Sequence, residues 1–175
     1  MNPYLSAVNQ KLFFCNLLLK QGMDGEPEKL SSAQLEQALC QSALYQLEAA
    51  YGHYLREIAA TYQFKSPEAV SSVESLVDSL SSINKHPAEA QEIQSLLKQK
   101  DNWLSQLLNA HKCLSNISSQ SEKSSVSNNA SNSPIAIVEI KQLDDVETLD
   151  YDLLNSWHKS FVEMVNRHRE MMVEC

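Results

Sequence analysis

The sequence predicts an all-α protein, a single-domain helical bundle of about five helices spanning residues 1–175. Glycine and proline are scarce, with three and five copies in the chain, and 43% of the residues are hydrophobic. That balance favours helices over sheets and supports a globular core. Apolar residues also recur at steps of three and four, the period of a helix. One segment, residues 31–62, has two adjacent apolar rows, which is typical of a helix surrounded by others.

The segment Ser31–Tyr62 is predicted to form the long second helix at the centre of the bundle. Its first apolar row consists of Leu35, Leu39, Ala43, Leu47, Ala50, Tyr54 and Ile58, and its second of Leu44, Tyr51, Leu55 and Tyr62. Ser31 and Gln34 have the spacing of a capping box. We expect Ala43 and Ala50 to be buried where neighbouring helices approach this helix closely.

The first helix is predicted from about Pro3 to Gln21. Its apolar stripe consists of Leu5, Val8, Leu12, Cys15 and Leu19. Gly22 is expected to supply a left-handed C-terminal end. The apolar run Leu12–Leu19 is too short to span a bilayer and lacks the features of a signal peptide, so no membrane segment is expected.

Two further helices are predicted before residue 118. The third spans residues 66–83, with Pro67 at its first position. His86–Pro87 marks a break, and the fourth helix continues from there to about Ile117. Asp101–Asn102 could divide this fourth helix in two.

Residues 118–133 are almost entirely Ser, Asn, Gln and Lys. Because this composition has little to bury, we expect a flexible internal linker, a Ser/Asn-rich loop before the last helix. The apolar residues within 135–143 have two interpretations, either a short strand or an extended segment in a groove of the bundle, and the groove is favoured because no partner strand is evident.

The last helix is predicted over residues 150–173, with Thr148 or Asp150 as its cap. Its apolar side chains include Trp157, Phe161, Met164 and Val165, which fall on one side of a helix. An isolated helix would leave this stripe in water, so we expect the segment to pack back on the bundle.

The charge and the cysteines limit the function classes. With 14 basic and 22 acidic residues the net charge is −8, which makes nucleic-acid binding improbable. The four cysteines, Cys15, Cys40, Cys113 and Cys175, form no Cys-x-x-Cys pair. They are expected to be free thiols, which indicates a cytoplasmic protein, with Cys15 and Cys40 acting as small buried hydrophobes.

No arrangement of residues demands a metal or another cofactor, and none is predicted. Di-metal bundles need Glu-x-x-His pairs, and this chain contains none. His53 and Glu57 lie one turn apart on the second helix and form a weak candidate for sharing a metal. The favoured interpretation places both in solvent, on the polar edge of that helix.

The tail Arg167-His168-Arg169 holds the residue types of a HEPN ribonuclease, a helical-bundle enzyme with an Arg, a short spacer and a His. Here the histidine does not follow either arginine at that spacing, so no catalytic residue is assigned. The expected role is a charged outer face near a helix C-terminus, where cations are favoured.

Three elements carry a resemblance to a known family. They are Asn9–Phe14, then Ala43–Leu47 with Ala50–Tyr51, and the ending with Trp157, Phe161 and Arg167–Met171. Together they resemble the uncharacterised PasA-like small helical proteins of gammaproteobacteria, a domain of unknown function. The resemblance implies a bacterial, cytoplasmic, all-helical protein, and it supplies no catalytic residues.

Two hypotheses of function follow. The first is a non-enzymatic protein that binds an unknown protein partner or forms a homodimer. The second is a HEPN-like nuclease, or a catalytically degenerate relative. A deep cleft lined by Arg167 and His168 would favour the nuclease, and a closed bundle with that tail in solvent would favour the binding protein.

Overall fold

The computed structural model describes residues 2–24, 32–115 and 149–173, and these residues form six helices with no strand. The helices are α1 (Pro3–Asp24), α2 (Ser32–Thr61), α3 (Val73–Ser81), α4 (Ala88–Lys98), α5 (Trp103–Ser115) and α6 (Tyr151–Val173). The all-α prediction is confirmed. The predicted linker 118–133 and the segment 135–143 lie outside the described residues.

Helix α2 is the centre of the bundle, because α1, α3, α5 and α6 all pack against it. Most of its two apolar rows are fully buried, including Ala43 and Ala50 as expected. Leu35 is an exception, with 48% of its surface exposed. Among the described residues of α2 the buried positions begin only at Cys40, so Leu35 lies in the part of the helix that extends past the core.

Helix α1 buries Val8, Leu12, Cys15 and Leu19 against the bundle, whereas Leu5, at the start of the predicted stripe, is partly exposed. The prediction that Gly22 ends this helix in a left-handed conformation is wrong. The helix continues to Asp24, and no glycine with a described backbone has a positive φ. The Tyr151 ring at the start of α6 fills the space that a Cβ at Gly22 would need. Gly22 therefore permits close packing between α1 and α6.

Gly22 and Gly52, which both lie within described helices, give a matched pair for mutation. A Cβ added at Gly52 would meet no atom within 4 Å, whereas one added at Gly22 would meet the Tyr151 ring. We expect Gly52→Ala to raise the free energy of unfolding by about 0.5–1 kcal/mol, because alanine is the better helix former. Gly22→Ala should lose that gain, since the Tyr151 ring must move. Urea denaturation of both variants measures the difference, and equal stabilisation would contradict this role of Gly22.

The third and fourth predicted helices differ from the structure. Pro67–Ala69 forms only a 3-10 turn, and α3 begins later, at Val73. Ser72 caps α3, since its Oγ accepts from the Ser75 backbone at 3.2 Å while the Ser75 Oγ accepts from the Ser72 backbone at 3.0 Å. The predicted division at Asp101–Asn102 is confirmed and separates α4 from α5, which brings the count to six.

Helix α6 packs against α1, α2 and α5. The Asp150 carboxylate accepts a hydrogen bond from the Leu153 backbone at 2.7 Å, which makes Asp150 the cap. Trp157 and Phe161 are buried, and the Phe161 ring lies 6.1 Å from that of Tyr54 and 5.9 Å from that of Trp103. In the ranges that the structure describes, no helix is long and apolar enough to cross a membrane.

Candidate functional site

The last turns of α6 carry a buried polar cluster. His168 has no exposed surface, Arg169 is largely covered and Arg167 is about half exposed. The prediction of a charged outer face is therefore wrong for His168. Phe161, Val165 and His168 recur at steps of four and three, so the packing of α6 turns the imidazole toward the core.

His168 joins two other helices through its two ring nitrogens. The Tyr54 hydroxyl of α2 lies 2.6 Å from Nδ1, and a Glu92 carboxylate oxygen of α4 lies 3.0 Å from Nε2. Burial, and secondly the nearby Glu57, raise the pKa of Tyr54, so its hydroxyl keeps its proton. In the Nε2–H tautomer of His168, the Tyr54 hydroxyl donates to Nδ1 and the Nε2–H donates to Glu92, which also accepts from Arg167.

Glu57 is held in a second part of the same cluster. Its carboxylate is only 2% exposed, so the prediction that it faces solvent is wrong. Arg169 donates to both of its oxygens, from Nε at 2.7 Å and from Nη2 at 2.9 Å. The remaining Arg169 nitrogen, Nη1, donates to the Asn9 side chain at 2.8 Å. Arg169 therefore links α6 to both α2 and α1, and its bidentate pairing with Glu57 explains why a carboxylate can be buried here.

His53 does not join Glu57. The Nδ1 atom of His53 is buried and has no hydrogen-bond partner, while burial and the nearby Arg56 lower the pKa of the imidazole. Within the residues described, no group of three His, Cys, Asp or Glu side chains could hold a metal ion. His53 and Glu57 therefore do not act together as a metal site. Glu57 forms a buried ion pair with Arg169, and the Nδ1 atom of His53 has no hydrogen-bond partner.

The side chains of Arg167, His168 and Arg169 all have hydrogen-bond partners on other helices. Arg167 and Arg169 each pair with a carboxylate, and both nitrogens of His168 are hydrogen-bonded. A cavity of about 40 Å³ lies elsewhere, between α3 and α4, against Leu80 and Pro87. None of the cluster residues lines that cavity. The arrangement fixes helices to one another and leaves neither arginine free for a substrate.

Two thiols that could have served as nucleophiles are buried instead. Cys15 and Cys40 have no exposed surface, as predicted. Burial raises the pKa of Cys15 to about 12 and that of Cys40 to about 11. Since the thiolate is the nucleophile, both behave as small apolar side chains at neutral pH.

A second feature lies on the outer side of α1. Phe13, Phe14 and Leu17 are 57%, 39% and 47% exposed, and their spacing places them together opposite the buried stripe. We call these three residues the α1 apolar face. Within α1 the charged residues are Lys11, Lys20 and Asp24, so the centre of this face carries no charge.

A model of a protein family matches residues 1–175, which is the whole chain. The chain belongs to DUF6586. This is a family of unknown function, so membership assigns no activity to the polar cluster or to the α1 apolar face. No curated protein and no solved structure was found to match the chain.

Sequence reasoning missed three members of the cluster in this DUF6586 chain. Tyr54 was expected only as an apolar core residue, and Glu92 and Asn9 gave no signal as partners. Glu92 lies 76 positions before His168, so only the packing of α4 beside α6 reveals the contact. The burial of His168 could have been predicted, because this residue follows Phe161 and Val165 of the apolar stripe at steps of four and three.

A half-buried histidine, His158, predicts how stability depends on pH. His158 on α6 donates from Nε2 to the Leu12 carbonyl of α1 at 3.1 Å, and burial lowers its pKa below 6.5. Below that pH the unfolded chain takes up the proton more readily, so His158 should make unfolding easier as pH falls from about 7 to about 5. His158→Gln, which keeps a donor, should flatten this dependence in urea denaturation. Parallel pH profiles for the two proteins would contradict it.

Proposed function

We propose that this DUF6586 protein acts by binding another polypeptide through the α1 apolar face, without catalysing a reaction. The supporting observation is the exposure of Phe13, Phe14 and Leu17 together on one side of α1. Aromatic side chains such as those of Phe13 and Phe14 are enriched at the cores of protein interfaces. The partner surface that fits is an apolar helix face without charge at its centre.

The polar cluster supports a structural role for the tail of α6. The two arginines are neutralised by Glu57 and Glu92, and His168 is enclosed. A nuclease needs its arginine and histidine to reach a phosphodiester, whereas here both would first have to leave their carboxylate partners. This pairing is the reason to prefer binding over the alternative of a HEPN-like nuclease.

The nuclease alternative has a direct test. The purified protein is incubated with single-stranded RNA beside a His168→Ala variant. We expect no RNA cleavage that depends on His168. Cleavage by the wild-type protein that is lost in the variant would overturn the proposal, and melting curves of both proteins would confirm that the comparison is between folded chains.

We also propose that the protein is bacterial and works in the cytoplasm. Support comes from its resemblance to PasA-like proteins and from free thiols at Cys15, Cys40 and Cys113. The net charge of −8 supports a protein partner over a nucleic acid.

Site-directed photo-crosslinking in the native cell tests the binding function. A photoreactive phenylalanine analogue is placed at Phe13 or at Leu17. The matched control position is Ile83, which is 38% exposed but lies away from α1, after α3. We expect adducts from the two α1 positions and none from Ile83. Absence of adducts at both α1 positions, with normal protein levels, would refute the proposed surface.

A further inference from the structure

We propose that α4 opens locally from the folded bundle, and that the Glu92 carboxylate is the latch that keeps it closed. In the open state α4 separates from α6 and uncovers His168, while the other helices stay in place. This inference goes beyond the proposed function and uses no residue of the α1 apolar face. Its grounds are the small apolar surface that α4 buries and the polar contacts that join it to α6.

Helix α4 has the smallest share of the apolar core among the six helices. It buries Glu89, Ala90 and Ile93, so Ile93 is its one large apolar side chain that is fully buried. Its neighbours bury more, with Val73, Leu76 and Leu80 in α3 and Leu104, Leu107 and Ala110 in α5. Elements that bury little apolar surface are among the first to open in native-state fluctuations.

The two glutamates of α4 make hydrogen bonds to parts of the bundle that are distant in sequence. One Glu92 oxygen accepts from Arg167, and the other lies 3.0 Å from His168 Nε2. Glu89 accepts from the hydroxyl of Tyr62, just after α2, at 3.1 Å. The backbone of α4 packs against its sequence neighbours α3 and α5. Glu92 therefore connects α4 to α6 through two donors at once.

The latch requires a carboxylate, because two donors of α6 converge on it. Glutamine at position 92 would offer one acceptor oxygen, and its NH2 group would face the second donor. If His168 adopted the other tautomer, its Nδ1–H would point at the Tyr54 hydroxyl, whose proton would then lose its acceptor. Either way one donor is left without an acceptor beside a fully buried ring, and that is costly. Glu92→Gln thus weakens the latch with little change in size.

The surroundings of α4 allow it to move. Residues 82–87 and 99–102 connect it to α3 and α5 outside any helix. A cavity of about 40 Å³ separates part of α3 from α4. The Ser105 hydroxyl of α5 donates to the Leu97 carbonyl at 3.0 Å, which keeps the C-terminal end of α4 attached. Opening therefore moves the N-terminal half, which carries Glu89 and Glu92, away from α6.

Hydrogen exchange of the full chain, followed by mass spectrometry of peptides, tests the latch. We expect amides of α4 to exchange faster than those of α5 in the wild-type protein. Glu92→Gln should accelerate exchange in α4 about tenfold or more and leave the centre of α2 unchanged. The matched control is Glu163→Gln, the same change at an exposed position of α6, which should leave α4 unchanged.

A milder variant keeps the test decisive if Glu92→Gln does not fold. Arg167→Gln removes one of the two donors to Glu92 at a residue that is 55% exposed. It should accelerate exchange in α4 by less than about tenfold, because the contact of Glu92 with His168 remains.

Chemical labelling of histidine checks what opening uncovers. Diethyl pyrocarbonate modifies exposed imidazoles, and His168 has no exposed surface in the closed bundle. In Glu92→Gln the labelling rate of His168 should rise. His158, whose Nε2 contacts the Leu12 carbonyl of α1, serves as the internal control and should keep its rate.

Three outcomes would overturn the latch. The first is exchange in wild-type α4 that is as slow as in α5. The second is a Glu92→Gln variant whose α4 exchanges at the wild-type rate. The third is acceleration by the same factor in every helix, since that would report a loss of global stability in place of local opening.

Discussion

Replacing Arg169 with methionine is expected to lower the free energy of unfolding by about 3–5 kcal/mol. Arg169 supplies two hydrogen bonds to Glu57, whose carboxylate is 2% exposed. Methionine fills a similar length but donates nothing, so the variant would bury a charge with no partner. Urea denaturation followed by circular dichroism measures the change.

Two controls separate this effect from a general loss of packing. Arg167 pairs with Glu92 but is 55% exposed, so Arg167→Met should cost less than about 1 kcal/mol. The double variant Arg169→Met/Glu57→Leu removes both charges and should be more stable than Arg169→Met alone. If the double variant is instead less stable than Arg169→Met, the unpaired carboxylate is not the cause.

Replacing Trp157 with alanine should cost a comparable amount, about 3–5 kcal/mol, because it leaves a large cavity in the core. Trp157 is 3% exposed, and one turn further along α6 Phe161 contacts rings from both α2 and α5. Loss of the indole therefore weakens the attachment of α6 to the rest of the bundle. The readout is the midpoint of urea denaturation.

Fluorescence provides an independent check on the environment of Trp157. In a Trp103→Phe background Trp157 is the only reporter, and its emission should be blue-shifted and resistant to quenching by iodide. The emission should move to the red in the same denaturation step that the circular dichroism reports. Red-shifted, freely quenched emission from the folded monomer would mean that α6 does not pack on the bundle.

Local patterns were enough to place most helices. The two apolar rows of residues 31–62 predicted α2 and its central position, and the stripe around Trp157 predicted a docked α6. A predicted helix boundary was wrong where the relevant contact joins residues that are far apart in the sequence. Gly22 lies within α1, where its missing side chain leaves room for Tyr151, 129 positions later, and a search for end signals within α1 has no access to that contact.

The hydrogen-bond partners in the polar cluster were likewise not predictable from residue spacing. The spacing of α6 puts His168 on the buried side, but the sequence gives no indication that Glu92 and Tyr54 are its partners. Likewise, one-turn spacing pairs Glu57 with His53 along the helix, whereas in space its partner is Arg169, 112 positions away. Contacts between helices depend on how those helices pack, and residue spacing reports only on one helix at a time.

The sequence by itself determined the all-helical class, the central helix and the inward stripe of the last helix, because each depends on a repeat of three to four residues. Only the tertiary structure decided which polar residues are paired and which apolar residues remain in solvent. The α1 apolar face illustrates this, since Phe13, Phe14 and Leu17 have the same chemical character as the buried stripe. Their exposure follows from the placement of α2 and α6, because these two helices pack against the other side of α1.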